Sequence, residues 1–349
     1  MELASLIQPE LPYFIYKKPG AAKLQIIQQT GTGLYTDKDF ETPGFYFAPY
    51  DFIKHPVVVF PENNINKQSF FIRSFSQDTK DIQLNPVQTD SEQALNHQNK
   101  VAKALEYIHK GVAEKVIISR KQEVSYRNLD IYQAVLQLMN HYENSFVYLW
   151  HHPAIGTWMG ATPELLLEYT NNELHTMALA GTLTVTKDKP VLWEMKEINE
   201  QQIVTDYIHE KLSKFSDKVF TEKPKTVFQG NLAHIKTDIT AHIPPSKLNE
   251  VILSLHPTPA VCGIPLQKAK NIIDEIEQYD RKYYTGFLGY KTPGQAQLYV
   301  NLRSMEIFPE KLSVYTGGGI TLDSQKEKEW KETFEKSKII LSPLLKNYK

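Results

Sequence analysis

Polar and apolar residues follow two rhythms along this chain, and the rhythms predict its elements. Short β-type runs come first, at residues 24–27, 44–47, 57–60 and 69–75, set apart by Gly, Pro and Asn. From residue 90 the period lengthens. Ala94, Val101, Leu105 and Ile108 predict a helix to about Gly111, capped by Asp90 or Ser91. Residues 115–120, KVIISR, are a β-branched run that predicts a central strand. A helix is predicted over 131–139, then strands at 145–150, 156–160, 165–169 and 174–179. Beyond a helix opened by Pro190, the pattern predicts a strand at 232–242 and short helices at 246–253 and 266–279. Strands at 286–290, 296–303 and 312–315 precede a final helix. Many strands in meander-like pairs, with helices at intervals, predict an α+β fold rather than a doubly wound α/β one.

The final helix lies in YTGGGITLDSQKEKEWKETFEK, residues 315–336. Asp323 or Ser324 can cap it, with Glu327 completing a capping box from Ser324. At about 100° per residue, Glu329, Glu332, Thr333 and Lys336 share an arc with Ile339 and Ile340. Lys328, Lys331, Glu335 and Lys338 fall opposite, on the solvated face. On the Pro190 helix, Glu197 and Glu200 share an arc with Trp193, Val204, Tyr207 and Ile208. Two helices thus each turn an ExxE pair inward, where a bare carboxylate is very costly. Four carboxylates without a neighbouring His suit a hard divalent cation, Mg²⁺ before Zn²⁺. A di-iron centre would want ExxH pairs. The plainer alternative is exposed charge on two amphipathic helices.

Composition narrows the partners. The chain has 349 residues, 41% of them hydrophobic and 23% charged, enough for one large domain or two ordinary ones. A net charge of −1 argues against nucleic acid or an acidic membrane surface as a partner. One cysteine, Cys262, excludes an intrachain disulfide and fits a reducing compartment. The first twenty residues hold no long apolar run, so neither a signal peptide nor a membrane span is expected, and a cytoplasmic monomer is.

Other residues could carry chemistry. Lys115 opens a hydrophobic strand, where a desolvated lysine can serve as a general base; the alternative is a lysine guarding a strand edge. Glu164 precedes three leucines in GATPELLL, an apolar setting that suits a general acid; the alternative is a charge at a turn. Residues 178–182, ALAGT, and the Gly317-Gly318-Gly319 run are glycine turns whose amides could hold an anion; a turn without ligand is the commoner case. Arg281, Tyr284 and Arg303 can grip a carboxylate, though each alone is more often a structural hydrogen-bonder.

Taken in order, KVIISR, GATPE, ALAGT, the ExxE helix, HPTPAVCG, DRKYYTGFLGY, NLRS, YTGGGI and EWKETFEK resemble the chorismate-utilising enzymes, from Lys115 to Lys336. The resemblance implies a single α+β domain over 1–349, a four-layer sandwich with two large β-sheets inside. Residues 1–89 are then a strand-rich part and 90–349 the chorismate-binding core. Lys115 stands where isochorismate and salicylate synthases have Lys and anthranilate synthases have Gln. Ala180 stands where aminodeoxychorismate synthases carry a nucleophilic Lys. Both imply water as the nucleophile and an isochorismate synthase as the nearest type, an isomerase serving menaquinone or siderophore biosynthesis. The resemblance further implies Mg²⁺ on Glu200 and Glu332, with Glu197 and Glu329 completing its shell. Lys115 is then the base and Glu164 the acid. Arg303, Tyr284, Lys336 and Gly317, Gly318 and Gly319 grip the substrate, with Thr182 and His234 nearby. Two residues depart from the pattern: Gln201 replaces a common His, and Cys262 a common Gly. A salicylate synthase and a non-catalytic carboxylate-binding relative are the alternatives.

Overall fold

The β-type runs pair into two antiparallel sheets in the computed structural model of the chain, which describes residues 1–75, 83–86, 90–185, 190–229 and 232–344. In chain order come β1 (Tyr13–Lys17), β2 (Lys23–Gln29), β3 (Gly44–Ala48), β4 (Val58–Pro61), β5 (Ile65–Phe71), β6 (Gln83–Pro86) and helix α1 (Asp90–His109). Then follow β7 (Lys115–Arg127), α2 (Ile131–His141), β8 (Phe146–His152), β9 (Gly156–Thr162), β10 (Leu165–Thr170), β11 (Glu173–Thr184) and α3 (Met195–Ser213). Next are β12 (Val219–Thr221), β13 (Lys225–Gln229), β14 (Leu232–His242), α4 (Leu248–Leu255), β15 (Gly263–Ile264) and α5 (Leu266–Glu277). The chain closes with β16 (Phe287–Thr292), β17 (Gln295–Val300), β18 (Ser304–Ile307), β19 (Lys311–Ile320) and α6 (Lys326–Leu341).

One sheet runs β15-β7-β19-β18-β9-β8-β1-β2-β5, with β6 on β7; the other runs β12-β14-β11-β10-β17-β16-β3-β4, with β13 on β14. Large aromatic side chains fill the space between them. Phe47 of β3 stacks on Trp150 of β8 at 4.4 Å, and Phe146 of β8 on Tyr299 of β17 at 4.2 Å. Helices cover the outer faces. The apolar stripe of α2 and the end of α6 lie on the first sheet, and Val204, Tyr207, Ile208 and Leu212 of α3 lie on the second. The expected α+β sandwich with two large sheets is therefore the architecture observed.

The differences from the expected elements have physical causes. β7 extends to Arg127, past its apolar half, because Ser125 pairs with Lys311 and Gln122 with Val314 along β19. The three glycines form no turn. Gly317, Gly318 and Gly319 pair with Ser119, Ile118 and Ile117, so β19 continues to Ile320. ALAGT likewise stays inside β11, which bulges at Gly181, where φ is +65°. Helix α3 starts at Met195, not Pro190, and α6 starts at Lys326 with Gln325 at its N-cap and no side-chain cap. Ser324 instead accepts from the Thr321 amide at 3.1 Å. Helix α1 begins at Asp90, so the residue before it lies outside the described residues. The run at 69–75 is a strand only to Phe71 and then a 3₁₀ turn, and β1 was not expected at all.

Arg281 takes the structural one of its two readings. It is buried and its Nε and Nη2 donate to Glu277 at 2.8 and 2.6 Å, while Nη1 and Nη2 reach the carbonyls of Val261 and Ile117, each at 2.8 Å. It clamps α5 to β7 and is not free to grip a ligand. Removing one partner of such a pair leaves the other buried and bare, a loss of about 3–5 kcal/mol. Arg281→Met is therefore expected to lower unfolding stability by that order in a denaturant titration.

Candidate active site

β7 and β19 supply the floor of a single cavity. Lys115, the first residue of β7, is fully buried, and its Nζ lies 3.0 Å from Glu200 Oε1 on α3. The glycines of β19 make room for this chemistry. A Cβ on Gly319 would overlap Glu200 Oε1 and sit 2.9 Å from Lys115 Cε. A Cβ on Gly318 would meet Glu329 Oε2 and Glu332 Oε1, both at 3.4 Å, and one on Gly317 would meet the Tyr284 hydroxyl at 3.1 Å. β18 ends opposite Tyr315, which leaves the far edge of β19 open beyond it. Lys336 of α6 takes that edge, donating to the Gly317 carbonyl at 3.0 Å and to Glu332 at 2.6 Å.

The cavity is lined by Glu164, Thr182, Glu200, His234, Tyr284, Arg303, the three glycines and Lys336. Residues from both sheets and two helices thus meet in one place. Arg303 is buried with φ +47°, left-handed backbone that a non-glycine residue adopts at a cost, and its Nε has no partner among the described residues. His234 meets Thr182 Oγ1 through Nδ1 at 3.2 Å, and its buried Nε2 is also without a partner. Burial, with Arg303 and Lys336 nearby, holds the His234 ring well below its ordinary value, so it is neutral. Burial pushes the Tyr284 phenol up to about 12. Glu164 is buried, and desolvation raises its carboxyl to about 7 against the pull of Arg303, Lys115 and Lys336.

A family model for the chorismate binding enzymes matches residues 60–345. The chain belongs to this family. Isochorismate synthase MenF of Haemophilus influenzae is 29% identical over 255 residues, 69% of this chain and 59% of that protein. The vibriobactin-specific isochorismate synthase of Vibrio cholerae is 28% identical over 257 residues, 69% of this chain and 65% of that one. The chain thus spans less than two thirds of the length of these curated relatives. The crystal structure of DhbC from Bacillus anthracis superposes with a TM-score of 0.83 at 23% identity, covering 97% of both chains, which shows the shared fold.

In this chorismate-binding enzyme the two ExxE pairs face inward, as their arcs require. Glu197, Glu200 and Glu329 are buried, and the Glu332 side chain is 17% exposed. Three of the four are met by lysines: Glu200 by Lys115, Glu332 by Lys336, and Glu329 by Lys196 at 2.5 Å. Burial would raise Glu200, but Lys115, Lys196 and Lys336 reverse this and hold it below the usual carboxylate range. Burial, with Glu332 beside it, raises Glu329 against Lys196, and burial raises Glu197. Among the described residues no three of these side chains converge on one point as they stand. The donor set nevertheless fits a hard divalent ion. It is all carboxylate, and Glu197 Oε2 and Glu329 Oε2 are buried oxygens with no hydrogen-bond partner among the described residues.

Lys196 is a part of this site that the arcs did not reveal; its only signal was its place between two acids in the first turn of α3. Gln201 has a clear job. It accepts from the Ala180 amide at 2.7 Å and donates to the Ala178 carbonyl and Thr237 Oγ1, each at 3.0 Å, which pins α3 to β11 beside Glu200. Cys262 faces the Tyr50 hydroxyl at 3.2 Å; the cavity takes Ala260 and Val261 from that loop instead.

The raised Glu164 links stability to pH. Between 4.5 and about 7 the folded chain holds a proton that the unfolded chain has released. Its contribution therefore weakens the fold as pH rises through that window and is constant above it, by about 3 kcal/mol in all. Glu164→Gln is expected to gain stability relative to the unsubstituted chain by that order between pH 4.5 and 8. Denaturant titrations in metal-free buffer check this; a difference independent of pH would mean that Glu164 is not shifted.

Proposed function

We propose that this chorismate-binding enzyme is an isochorismate synthase, an isomerase that uses Mg²⁺ to convert chorismate to isochorismate for menaquinone or siderophore biosynthesis. The observation that carries the reading is Ala180. It lines the cavity, and by the family resemblance it stands where aminodeoxychorismate synthases carry a nucleophilic lysine, so no amine is offered there. Water is left as the nucleophile, with a buried lysine and a buried, raised carboxyl to move its protons. The named relatives being isochorismate synthases supports the same choice.

In this mechanism Lys115 takes a proton from water as its oxygen bonds to C2 of the ring. Glu164 gives a proton to the C4 hydroxyl, which leaves as water while the double bonds shift. With its carboxyl near 7, Glu164 has the proton to give at neutral pH and a conjugate base weak enough to release it. Arg303 supplies a guanidinium whose Nε has no partner among the described residues, suited to a substrate carboxylate, and Lys336 a second cation. Neutral His234 and Thr182 offer hydrogen bonds without adding charge. Glu200 and Glu332 would hold Mg²⁺, with Glu197 and Glu329 about it; when bound, the ion neutralises a carboxylate of the dianionic substrate.

Chromatography of the full chain incubated with chorismate and Mg²⁺ is expected to show isochorismate and no fluorescent salicylate. No conversion by folded, metal-loaded protein would refute the reading. Lys115→Ala and Glu164→Ala are each expected to lower turnover by about 100-fold or more, the scale of one general acid or base, with circular dichroism unchanged. Near-normal rates would remove the roles given to them.

A further inference from the structure

Lys196 has no part in the reaction described above, yet it lies inside the acidic cluster. Its Nζ is 2.5 Å from Glu329 Oε1, and its side chain is only 16% exposed. Glu332 and Glu200 also act on it electrostatically. These are three of the four carboxylates assigned to Mg²⁺. A cation in the first turn of a helix faces the positive end of the helix dipole, so carboxylates must compensate for its position. An ammonium and a divalent ion drawn to the same oxygens compete for them.

We propose that Lys196 stands in for the divalent ion: its ammonium compensates the carboxylates before metal arrives and has to leave for the ion to bind. The inference rests on the reading that these carboxylates take Mg²⁺. The fold offers the side chain somewhere to go. Lys196 also lines a neighbouring cavity of about 350 Å³, where Glu194, Glu197 and Asp323 stand beside Lys328 and Lys331. Swinging there brings the ammonium to Glu194 and Asp323, which are not among the four carboxylates given to the ion, so the displaced charge is not left bare. The consequence is a metal site weaker than the same carboxylates would make without the lysine. In return the acidic centre is stable when metal is absent.

The test is calorimetric titration of MgCl₂ into the metal-stripped full chain, with thermal melting in the presence and absence of Mg²⁺. Lys196→Met is expected to bind Mg²⁺ about tenfold more tightly than the unsubstituted chain, because the competing charge is gone. It should also melt lower without metal and gain more when Mg²⁺ is added. Lys196→Arg keeps a cation and should bind no more tightly than the unsubstituted chain. Lys196→Gln, which keeps a hydrogen-bond donor, serves if the Met variant does not fold. Equal and measurable dissociation constants in the unsubstituted and Met chains, or weaker binding in the latter, overturn the role given to Lys196 and leave the metal reading standing. Absence of Mg²⁺ binding in every chain overturns both.

Discussion

Enclosed negative charge is the constraint on which the rest of this structure depends. Glu197, Glu200 and Glu329 are buried between two helices and a strand, and each carboxylate taken from water costs several kcal/mol unless it is compensated. The compensating lysines come from three different elements: Lys115 from β7, Lys196 from α3 and Lys336 from α6. Charge pairing therefore ties together pieces that apolar contact alone would leave independent. It also explains why β19 is bare where it passes them. Side chains at Gly318 or Gly319 would take the space the carboxylates need.

Two buried arginines show how differently a cation can be met inside the fold. Arg281 is bound to Glu277 and two carbonyls, and its charge is fully engaged. Arg303 is as deeply buried, sits on left-handed backbone, and leaves Nε without a partner among the described residues. A buried guanidinium lacking an acceptor is unfavourable by itself. It is intelligible when the acceptor is an anion that arrives from outside. Strain and an unmet donor at the same residue point to the same conclusion.

Much of this was legible in the chain, and the limits follow from which interactions are local. Helical periodicity alone turned Glu197, Glu200, Glu329 and Glu332 inward, because position on a helix face depends only on spacing. The β-branched KVIISR run marked β7 for the same reason. Gly317, Gly318 and Gly319 were misread as a turn because glycine permits turns locally. What makes them a strand is pairing with residues about 200 positions earlier. Lys196 gives no such signal, because it lies off the arc that the carboxylates share with apolar residues, and a long lysine reaches across from its own position. The starts of α3 and α6 were misplaced for a related reason. Pro190 and Ser324 are good local signals, but α3 begins only at Met195, and the Ser324 hydroxyl is taken by the Thr321 amide.

The size of the cavity adds a condition on what may enter. With its side chains as they stand, the space is about 50 Å³, small beside the roughly 300–1,000 Å³ of a ligand pocket. Two of its lining side chains are paired, Lys336 with Glu332 and Glu200 with Lys115. A neutral ligand that pushed these pairs apart would leave charges bare. A ligand carrying its own carboxylates can take Lys336 and Arg303 as partners, so each broken pair is exchanged for another. Preference for a dianion then arises from the enclosure itself as well as from single contacts. The same enclosure governs Glu164. Desolvation outweighs Arg303, Lys115 and Lys336 in setting its proton affinity only while water is kept out. A ligand that fills the cavity preserves that dryness, and with it the proton on Glu164.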